Sequence, residues 1–305
     1  MEQKLETFLM LCKTMHYGRA AEALNLSQPA VSKHIQALEV QYGVSLFDYR
    51  NRRLKKTPQG QLLEQYAISL RYNEQALLAS LREQPIRKLR IGATKSIGDY
   101  ILFPEIRRYL DRSQNALTLL VDNTAHLLAL LEDGALDFVV LEGTFDKRRY
   151  DCFLLRSEPF VGICAGDHPF AGREVTVEQL FSQRLILREE GSGTRRILLD
   201  ALAQQGWHED AFASVACVSS FKLILELVKE GCGISFLYEA VVQHSAGLAR
   251  FTCLPLTQNH DLNVVYLKNT QAEGLAREFL YGAGGERPGT GASGLTSRTG
   301  LPCPE

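Results

Sequence analysis

Three short helices separated by tight turns are predicted in the first 43 residues, and this pattern constrains the fold more than any other feature. Apolar residues recur at three- and four-residue steps over residues 3–16, which predicts an amphipathic helix that Gly18 ends. A second helix is predicted over residues 19–24, where small alanines let another helix approach closely. Ser27 is typical of a helix N-cap and Gly43 of a helix end, so a third helix is expected between them.

The third helix has an apolar face and a polar face. Val31, Ile35 and Leu38 follow the helical repeat and are predicted to point into the core. A short helix and a tight turn before such a helix have the shape that places its first turns in the major groove of DNA, where polar side chains contact bases or phosphates. The candidate DNA-binding residues on it are Ser27, Gln28, Pro29, Ser32, Lys33 and Gln36. The alternative is that these are ordinary solvated positions on a surface helix.

Basic residues crowd the segment RNRRLKK at 50–56, five in seven positions, beside a predicted β-turn at Asn51. We interpret this segment as a basic wing, with Arg50, Arg52 and Arg53 placed to contact DNA phosphates. Residues 1–90 hold 14 basic against 8 acidic side chains, whereas the remainder holds 20 against 27. A basic first third joined to an acidic remainder indicates a nucleic-acid-binding module attached to a different kind of domain.

A long helix is predicted to follow the wing, because Thr57 and Pro58 repeat the pattern of an N-cap followed by proline. Its apolar residues form a seam that consists of Leu63, Tyr66, Leu70, Leu77 and Leu81. Such a seam on a helix that joins two domains needs a partner, and we expect the same helix of a second copy. Pro85 is predicted to close the segment as a hinge.

Short apolar runs alternate with amphipathic helices from Lys88 onward, which is typical of an α/β layer architecture. In the first unit, strands are predicted at 88–93, 116–121 and 137–141, and helices at 97–110 and 124–132. A second unit is predicted to begin with a strand at 160–165 and to contain strands near 184–188, 214–218 and 233–237 and helices near 194–204 and 221–230. A strand at 262–268 is expected to return to the first unit. Two such lobes enclose a cleft in which small ligands bind.

Hydroxyls and backbone N–H groups converge at two predicted helix starts that should face each other across this cleft. The residues concerned are Thr94, Lys95 and Ser96 in the first lobe and Ser192, Gly193, Thr194 and Arg195 in the second. A helix start favours an anion, so a small anionic effector is expected there. Secondary candidates are Asn123, Thr124 and Ser219. The alternative is that these residues only cap their helices.

The segments AAEALNLSQPAVSKHIQALE (20–39), GVSLF (43–47) and TPQG (57–60) closely resemble the winged helix-turn-helix of LysR-type transcriptional regulators, and the resemblance extends to about residue 281. Two positions depart from the family pattern. Tyr49 stands where arginine is usual, and Lys56 stands where leucine is usual. Arg50 is therefore expected to take the phosphate contact that the missing arginine would make.

The resemblance implies an α-helical N-terminal winged helix-turn-helix with a long linker helix, followed by two α/β Rossmann-like lobes similar to type 2 periplasmic binding proteins. It also implies a homotetramer that binds promoter DNA and that contacts RNA polymerase if it is an activator. The effector is implied to bind between the end of the first strand of lobe I and the EGSGTR turn (190–195) of lobe II. Together with IGATKSIGDYILFPEI (91–106), this turn is similar to a branch that senses inorganic sulfur anions or small phosphorylated and carboxylated metabolites. Sulfur metabolism or carbon fixation is the expected setting.

The chain is thus expected to divide into four parts. These are a DNA-binding domain at 1–57, a linker and dimerisation helix at 58–85, an effector-binding domain at 86–281 and a disordered tail at 282–305. Lobe I is expected to take about 86–160 and 265–281, and lobe II about 161–264. The tail contains GTGASG, but without a predicted strand before it or a helix after it this motif does not indicate a dinucleotide site.

Other residue patterns argue against several functions. The seven cysteines lack CxxC spacing and the seven histidines lack metal-ligand spacing, so we expect no metal site and read most cysteines as small buried hydrophobes. No acid–base pair, nucleophile motif or P-loop indicates an enzyme or a catalytic cofactor. The lack of a long apolar run and of a signal segment predicts a cytoplasmic protein without a membrane span. The alternative function is a cytoplasmic small-molecule-binding protein or enzyme that uses the same cleft.

Overall fold

A computed structural model of the protein describes residues 2–50, 53–81, 87–143, 145–243 and 245–282. The helices in these ranges are α1 (Gln3–Thr14), α2 (Tyr17–Ala23), α3 (Gln28–Tyr42), α4 (Pro58–Leu81), α5 (Lys95–Tyr100), α6 (Phe103–Leu110), α7 (Thr124–Glu132), α8 (Val177–Leu180), α9 (Gly193–Gln204), α10 (Phe221–Lys229), α11 (Glu239–Val242) and α12 (Ala272–Tyr281). The strands are β1 (Phe47–Arg50), β2 (Arg53–Lys56), β3 (Arg87–Ala93), β4 (Asn115–Val121), β5 (Phe138–Glu142), β6 (Tyr150–Ala165), β7 (Arg184–Leu187), β8 (Ser214–Cys217), β9 (Ser235–Tyr238), β10 (Leu248–Phe251) and β11 (Asn259–Leu267).

The third helix begins and ends where its capping residues predict. The Ser27 side chain accepts a hydrogen bond from the backbone N–H of Ala30 at 3.3 Å, and Gly43 adopts the left-handed conformation with φ 68°. Val31, Ile35 and Leu38 are buried, as their spacing predicts. The helix is therefore fixed by local signals and by one apolar face that packs on α1 and α2.

The prediction that Gly18 ends the first helix is wrong. Helix α1 ends at Thr14, where Met15 takes the left-handed conformation with φ 48°, and Gly18 lies inside α2. Helix α2 instead begins after His16, whose ring accepts a hydrogen bond from the N–H of Arg19 at 3.2 Å. A histidine N-cap carries a weaker sequence signal than serine or aspartate, so the earlier start is harder to predict.

The basic segment forms an antiparallel hairpin, which confirms the predicted wing. Strands β1 and β2 pair in register from Phe47 opposite Lys56 to Arg50 opposite Arg53. The predicted turn at Asn51 lies outside the described residues. The hairpin places β2 directly before α4, whose start is capped by the Thr57 hydroxyl, which accepts from the N–H of Gly60 at 2.9 Å.

Helix α4 has two apolar faces, and only one of them is covered. Ala67, Ile68 and Tyr72 are buried, and the Tyr72 hydroxyl donates to Asp137, the residue before β5, at 3.1 Å. The other face is exposed and consists of Leu62, Tyr66, Leu70, Leu77, Leu78 and Leu81. Of the predicted seam, Leu63 is the member that packs partly against the core. Pro85, the predicted hinge, lies outside the described residues.

Residues 87–282 form two α/β lobes joined by two crossing strands. In lobe I, β4, β3 and β5 lie side by side and are parallel. On the other side of β5, the sheet continues with antiparallel β11, which in turn pairs with the first part of β6. In lobe II, the second part of β6 pairs with β9 and β10, and the parallel pair β7 and β8 is linked to this sheet by the bridge between Leu185 and Ile234. The predicted return of the chain to lobe I near 262–268 is confirmed, because β11 pairs with β5.

The structure corrects three details of this region. Residues 160–165 do not begin a separate strand, because β6 runs without a break from Tyr150 to Ala165 and belongs to both lobes. The helix predicted at 97–110 is two helices, α5 and α6, since Pro104 in the first turn of α6 has no N–H to continue the preceding helix. Strand β10 is absent from the sequence predictions, and its four residues carry no clear alternation.

The cysteines in the described part of the chain differ in burial. Cys12, Cys164 and Cys253 are buried, whereas Cys217 and Cys232 are exposed and depart from the expectation of buried cysteines. None of the helices in the described part of the chain has both the length and the apolar character to cross a bilayer. The predicted disordered tail, with its GTGASG motif, lies outside the described residues apart from Gly282.

Candidate functional site

The first turns of α3 present a polar surface to solvent. Gln28, Lys33 and Gln36 are exposed, and Ser32 is half-buried beside them. Ser27 and Pro29 are also exposed, but the Ser27 hydroxyl is occupied as the helix cap. Residues four positions apart share one face of a helix, so Gln28, Ser32 and Gln36 form a single row with Lys33 at its side. This row is free to enter a groove.

The wing adds positive charge next to that row. Arg53 and Lys55 are exposed on β2. Lys56 is held inward by an ion pair with Glu64 of α4, with Nζ and Oε2 2.6 Å apart, so it is not available for a ligand in this conformation. Arg52 and the side chain of Arg50 lie outside what the structure describes.

A cavity of about 140 Å³ lies between the lobes, where the carboxyl ends of the parallel strands β3, β4 and β5 face the start of α9. Of the predicted effector residues it brings together Thr94, Lys95, Ser96, Asn123, Thr124, Ser192 and Gly193. The other residues that line it are Asp122, Glu142, Arg188, Glu189, Glu190 and Gly191. The two predicted turns therefore face each other across one small space.

Thr94 makes a contact that sequence reasoning did not anticipate. It is buried and donates its hydroxyl hydrogen to Glu142, the last residue of β5. Burial raises the pKa of the Glu142 carboxyl, while the Thr94 hydroxyl and the Arg188 guanidinium act in the opposite direction. A carboxyl group thus occupies the place at the end of β3 where we expected free hydroxyl donors for an anion.

Three charged side chains connect the lobes beside this cavity. Arg188 is buried and donates two hydrogen bonds to Glu189, at 2.8 and 2.9 Å, while its guanidinium stacks on Phe221 at 3.9 Å. Lys95 reaches across from lobe I, with Nζ 3.1 Å from Glu189 Oε1. Although burial raises the pKa of Glu189, these cationic donors hold it below its usual value. The cavity wall therefore carries a cation from each lobe.

The remaining predicted residues lie at its margin or away from it. Thr194 is buried behind Ser192, and their hydroxyls are 2.8 Å apart. Arg195 pairs with Glu209 at 3.2 Å and lines the groove beside the cavity. Asn123, which does line the cavity, also caps α7 by accepting from the N–H of His126 at 3.0 Å. Ser219 is exposed and lines neither this cavity nor the groove beside it, because Ser220 takes the capping position of α10.

A larger groove of about 930 Å³ opens from the same place. It shares Glu142, Ser192 and Gly193 with the small cavity and continues along α9 past Arg195 to His260 of β11. Burial lowers the pKa of His260, so its ring is held toward the neutral form. The groove offers room for the rest of a molecule whose charged group occupies the small cavity.

Helix α7 connects the cavity with the N-terminal helices. Its first residues, with the cap Asn123, line the cavity. The carbonyl oxygen of its last residue, Glu132, accepts a hydrogen bond from the Arg71 guanidinium of α4 at 2.7 Å. The next residue, Asp133, pairs with Lys13 of α1 at 2.8 Å. Helix α7 and the residue that follows it therefore contact both the cavity and the helices α1 and α4.

Sequence reasoning missed Glu142 and Arg188. Glu142 ends an apolar strand, and residues at the carboxyl ends of parallel strands are where ligands bind in open α/β sheets. That rule would have brought it into the candidate set. Arg188 precedes the EGSGTR turn and carries no comparable signal, because its burial depends on Phe221 from another segment. Within the described part of the chain, no cluster of histidine, cysteine or acidic residues has the arrangement of a metal site.

Two family models match the chain. Residues 3–61 match the model described as bacterial regulatory helix-turn-helix protein, lysR family, and residues 82–281 match the LysR substrate binding domain. The first match covers α1 to the start of α4, and the second covers both lobes. The exposed polar row of α3 and the cleft thus each lie within a matched region.

Individual proteins show the same organisation over almost their whole length. The regulator YeiE of Escherichia coli strain K12 is 33% identical over 258 residues, which cover 83% of this chain and 86% of that protein. The RuBisCO operon transcriptional regulator of Allochromatium vinosum is 26% identical over 291 residues, covering 91% and 94%. A solved mutant of Corynebacterium glutamicum OxyR superposes with a TM-score of 0.57 at 26% identity, covering 91% of this chain and 89% of that one.

Proposed function

The chain belongs to the LysR family of transcriptional regulators, and we propose that it binds promoter DNA through α3 and the wing while a small anion between the lobes controls that binding. The division into a DNA-binding domain at 1–57, a linker helix at 58–85 and an effector-binding domain at 86–281 belongs to this proposal. The observation that carries it is the connection by α7, which contacts the cleft at one end and α1 and α4 at the other.

The proposed DNA contacts divide into two kinds. Gln28, Ser32 and Gln36 lie in one row on α3 and are of a type that bonds to base edges, since glutamine can pair with adenine through two hydrogen bonds. Lys33 and the exposed wing residue Arg53 supply positive charge for phosphates. Arg50 and Arg52 complete the proposed phosphate contacts.

The proposed effector is a small anion. Lys95 and Arg188 supply positive charge from the two lobes, and the first turn of α9 leaves N–H groups without partners inside the helix. We propose sulfur metabolism or carbon fixation as the setting, and the similarity to a regulator of the RuBisCO operon supports the second. Contact with RNA polymerase is proposed for the case of an activator.

The substitution Lys33→Ala tests the DNA-binding surface. The operator is first selected from random duplexes by the wild-type protein, and its affinity is then measured over a range of salt concentrations. Loss of one phosphate contact should weaken binding and reduce the slope of log affinity against log salt by about 1. Lys229→Ala, which removes an exposed lysine of lobe II, is the matched control and should leave the slope unchanged. Equal slopes for Lys33→Ala and wild type would rule out this surface.

A further inference from the structure

Glu142 places a carboxyl group directly against the predicted anion site. Its side chain is buried, with only 3% of its surface exposed, and it accepts the hydroxyl hydrogen of Thr94 from lobe I. On the lobe II side it touches the first residue of α9, because a Cβ added to Gly193 would lie 2.6 Å from Glu142 Oε1. The glycine lets the carboxyl group reach the helix start, so both halves of the cleft meet at this one acidic residue.

A second buried polar group lies in the same electrostatic environment. Among the described residues, the Tyr238 hydroxyl has no hydrogen-bond partner, although its side chain is fully buried at the end of β9. Burial raises the pKa of Tyr238, and the charges of Glu142 and Glu158 add to that effect. Tyr238 lines neither the small cavity nor the groove, so its hydroxyl adds no charge and no ligand contact to the site.

The charged groups around Glu142 influence whether its carboxyl group is ionised. Arg188, from the end of β7, favours the carboxylate, whereas burial favours the neutral acid and raises the pKa. The further charged and titratable residues that line the cavity and the groove are Lys95, Asp122, Glu189, Glu190, Arg195, Arg196, Asp200 and His260. Glu142 differs from these residues in being almost fully buried between the two lobes.

A carboxylate and a fully deprotonated anion repel each other when they share a small buried space. The repulsion disappears if one proton lies between them, carried either by the ligand or by the glutamic acid, because one oxygen then donates a hydrogen bond to the other. We propose that Glu142 and the bound ligand share one proton, so that the cleft selects an oxyanion that still carries a proton near neutral pH. This inference rests on the proposed function and narrows its ligand class from anions to protonated oxyanions.

The carboxylates Asp122, Glu189 and Glu190 also line the cavity, and Glu189 pairs with Lys95 and Arg188, so the wall carries both signs of charge. The groups that favour an oxyanion as the partner of Glu142 are the cations Lys95 and Arg188 and the positive end of α9. An oxyanion with one proton can accept hydrogen bonds from these groups while it donates one to the Glu142 carboxylate. Phosphate has this property at neutral pH, and sulfate does not.

Phosphate and sulfate provide the test, because at about pH 8.5 both are tetrahedral dianions and only phosphate retains a proton. Binding to the full chain is measured by calorimetry at constant ionic strength. Wild type should bind phosphate at least about tenfold more tightly than sulfate at this pH, and its sulfate affinity should rise as the pH is lowered, because a protonated Glu142 can itself supply the proton. Glu142→Gln donates through its amide and should bind the two anions within about threefold of each other, with a sulfate affinity that does not depend on pH.

Glu158→Gln is the matched control, since Glu158 is also buried but pairs with Arg156 and the N–H of Ala240 outside the cavity. It should keep the wild-type preference, and thermal melts establish that both variants fold. The inference is overturned if wild type shows no preference for phosphate at the higher pH, if Glu142→Gln retains that preference, or if neither anion binds wild type. Binding of the selected duplex is measured on the same samples. Loss of that binding counts against the proposed function, whereas intact DNA binding without anion preference counts against this inference alone.

Discussion

Glu142 should make the stability of the protein depend on pH. Because burial raises the pKa of its carboxyl, the folded chain binds a proton that the unfolded chain lacks at pH values between the ordinary and the raised pKa. The free energy of unfolding should fall by about 1.4 kcal/mol for each pH unit as pH rises through this window, and Glu142 should contribute no slope below or above it.

The substitution Glu142→Gln isolates this contribution, because every other titrating group is retained. Urea unfolding of wild type and variant is measured from about pH 5 to about pH 8. The wild type should lose stability relative to Glu142→Gln as pH rises. Parallel curves for the two proteins would show that the carboxyl does not change its protonation on folding.

At the scale of elements, α7 contacts both the cleft and the helices α1 and α4, and we propose that it carries a signal between them. Its nine residues span about 13 Å, from the cap Asn123 at the cavity to Glu132 beside Arg71. A ligand that shifts the start of a rigid helix also shifts its end. The contacts of Asp133 with Lys13 and of Glu132 with Arg71 are where such a shift would reach α1 and α4.

We therefore expect Asp133→Ala to reduce the effect of phosphate on DNA affinity without changing phosphate affinity itself. The reason is that the cavity stays intact while one of its connections to α1 is lost. DNA binding is measured with and without saturating phosphate, and coupling typically corresponds to a change of about fivefold or more. Arg250→Ala, which removes a surface ion pair with Glu239 in lobe II, is the control. An undiminished phosphate effect in Asp133→Ala would exclude this contact from the coupling.

The elements also show which parts of the fold a single sequence determines. Helix α3 follows from Ser27, Gly43 and one apolar face, all of which are local signals. The first half of β6 was missed because its residues mix polar and apolar types, and its place depends on pairing with β11, about 100 residues later. The contact of Glu142 with Thr94 and Gly193 likewise joins three separate segments, so sequence reasoning found both turns but not the carboxyl group between them.

At the scale of the whole molecule, the uncovered face of α4 indicates that the protein functions as more than one copy. The exposed residues include Tyr66, Leu70 and Leu77, which repeat along one side of a helix whose opposite side is already buried. We propose that the same face of a second chain covers it, as a symmetric helix pair. The proposed homotetramer requires a further contact between such dimers.

Leu70→Lys should therefore convert the dimer to a monomer and weaken operator binding, since two DNA-binding domains held together bind more tightly than one. Light scattering after size-exclusion chromatography gives the mass, and fluorescence anisotropy gives the DNA affinity. Leu254→Lys, at an exposed leucine of lobe II, should leave both unchanged. An unchanged mass for Leu70→Lys would place the contact between copies elsewhere.

The most direct test of the account is the operator affinity of wild type and of the double variant Ser192→Ala and Thr194→Ala, with and without phosphate at constant ionic strength. Phosphate is added to a concentration that calorimetry shows to saturate the wild-type cleft. We predict that it changes the wild-type affinity by about fivefold or more, and that the double variant binds DNA normally but does not respond. An unchanged wild-type affinity with the cleft saturated, or an equal response in the double variant, would contradict control of DNA binding from this cleft.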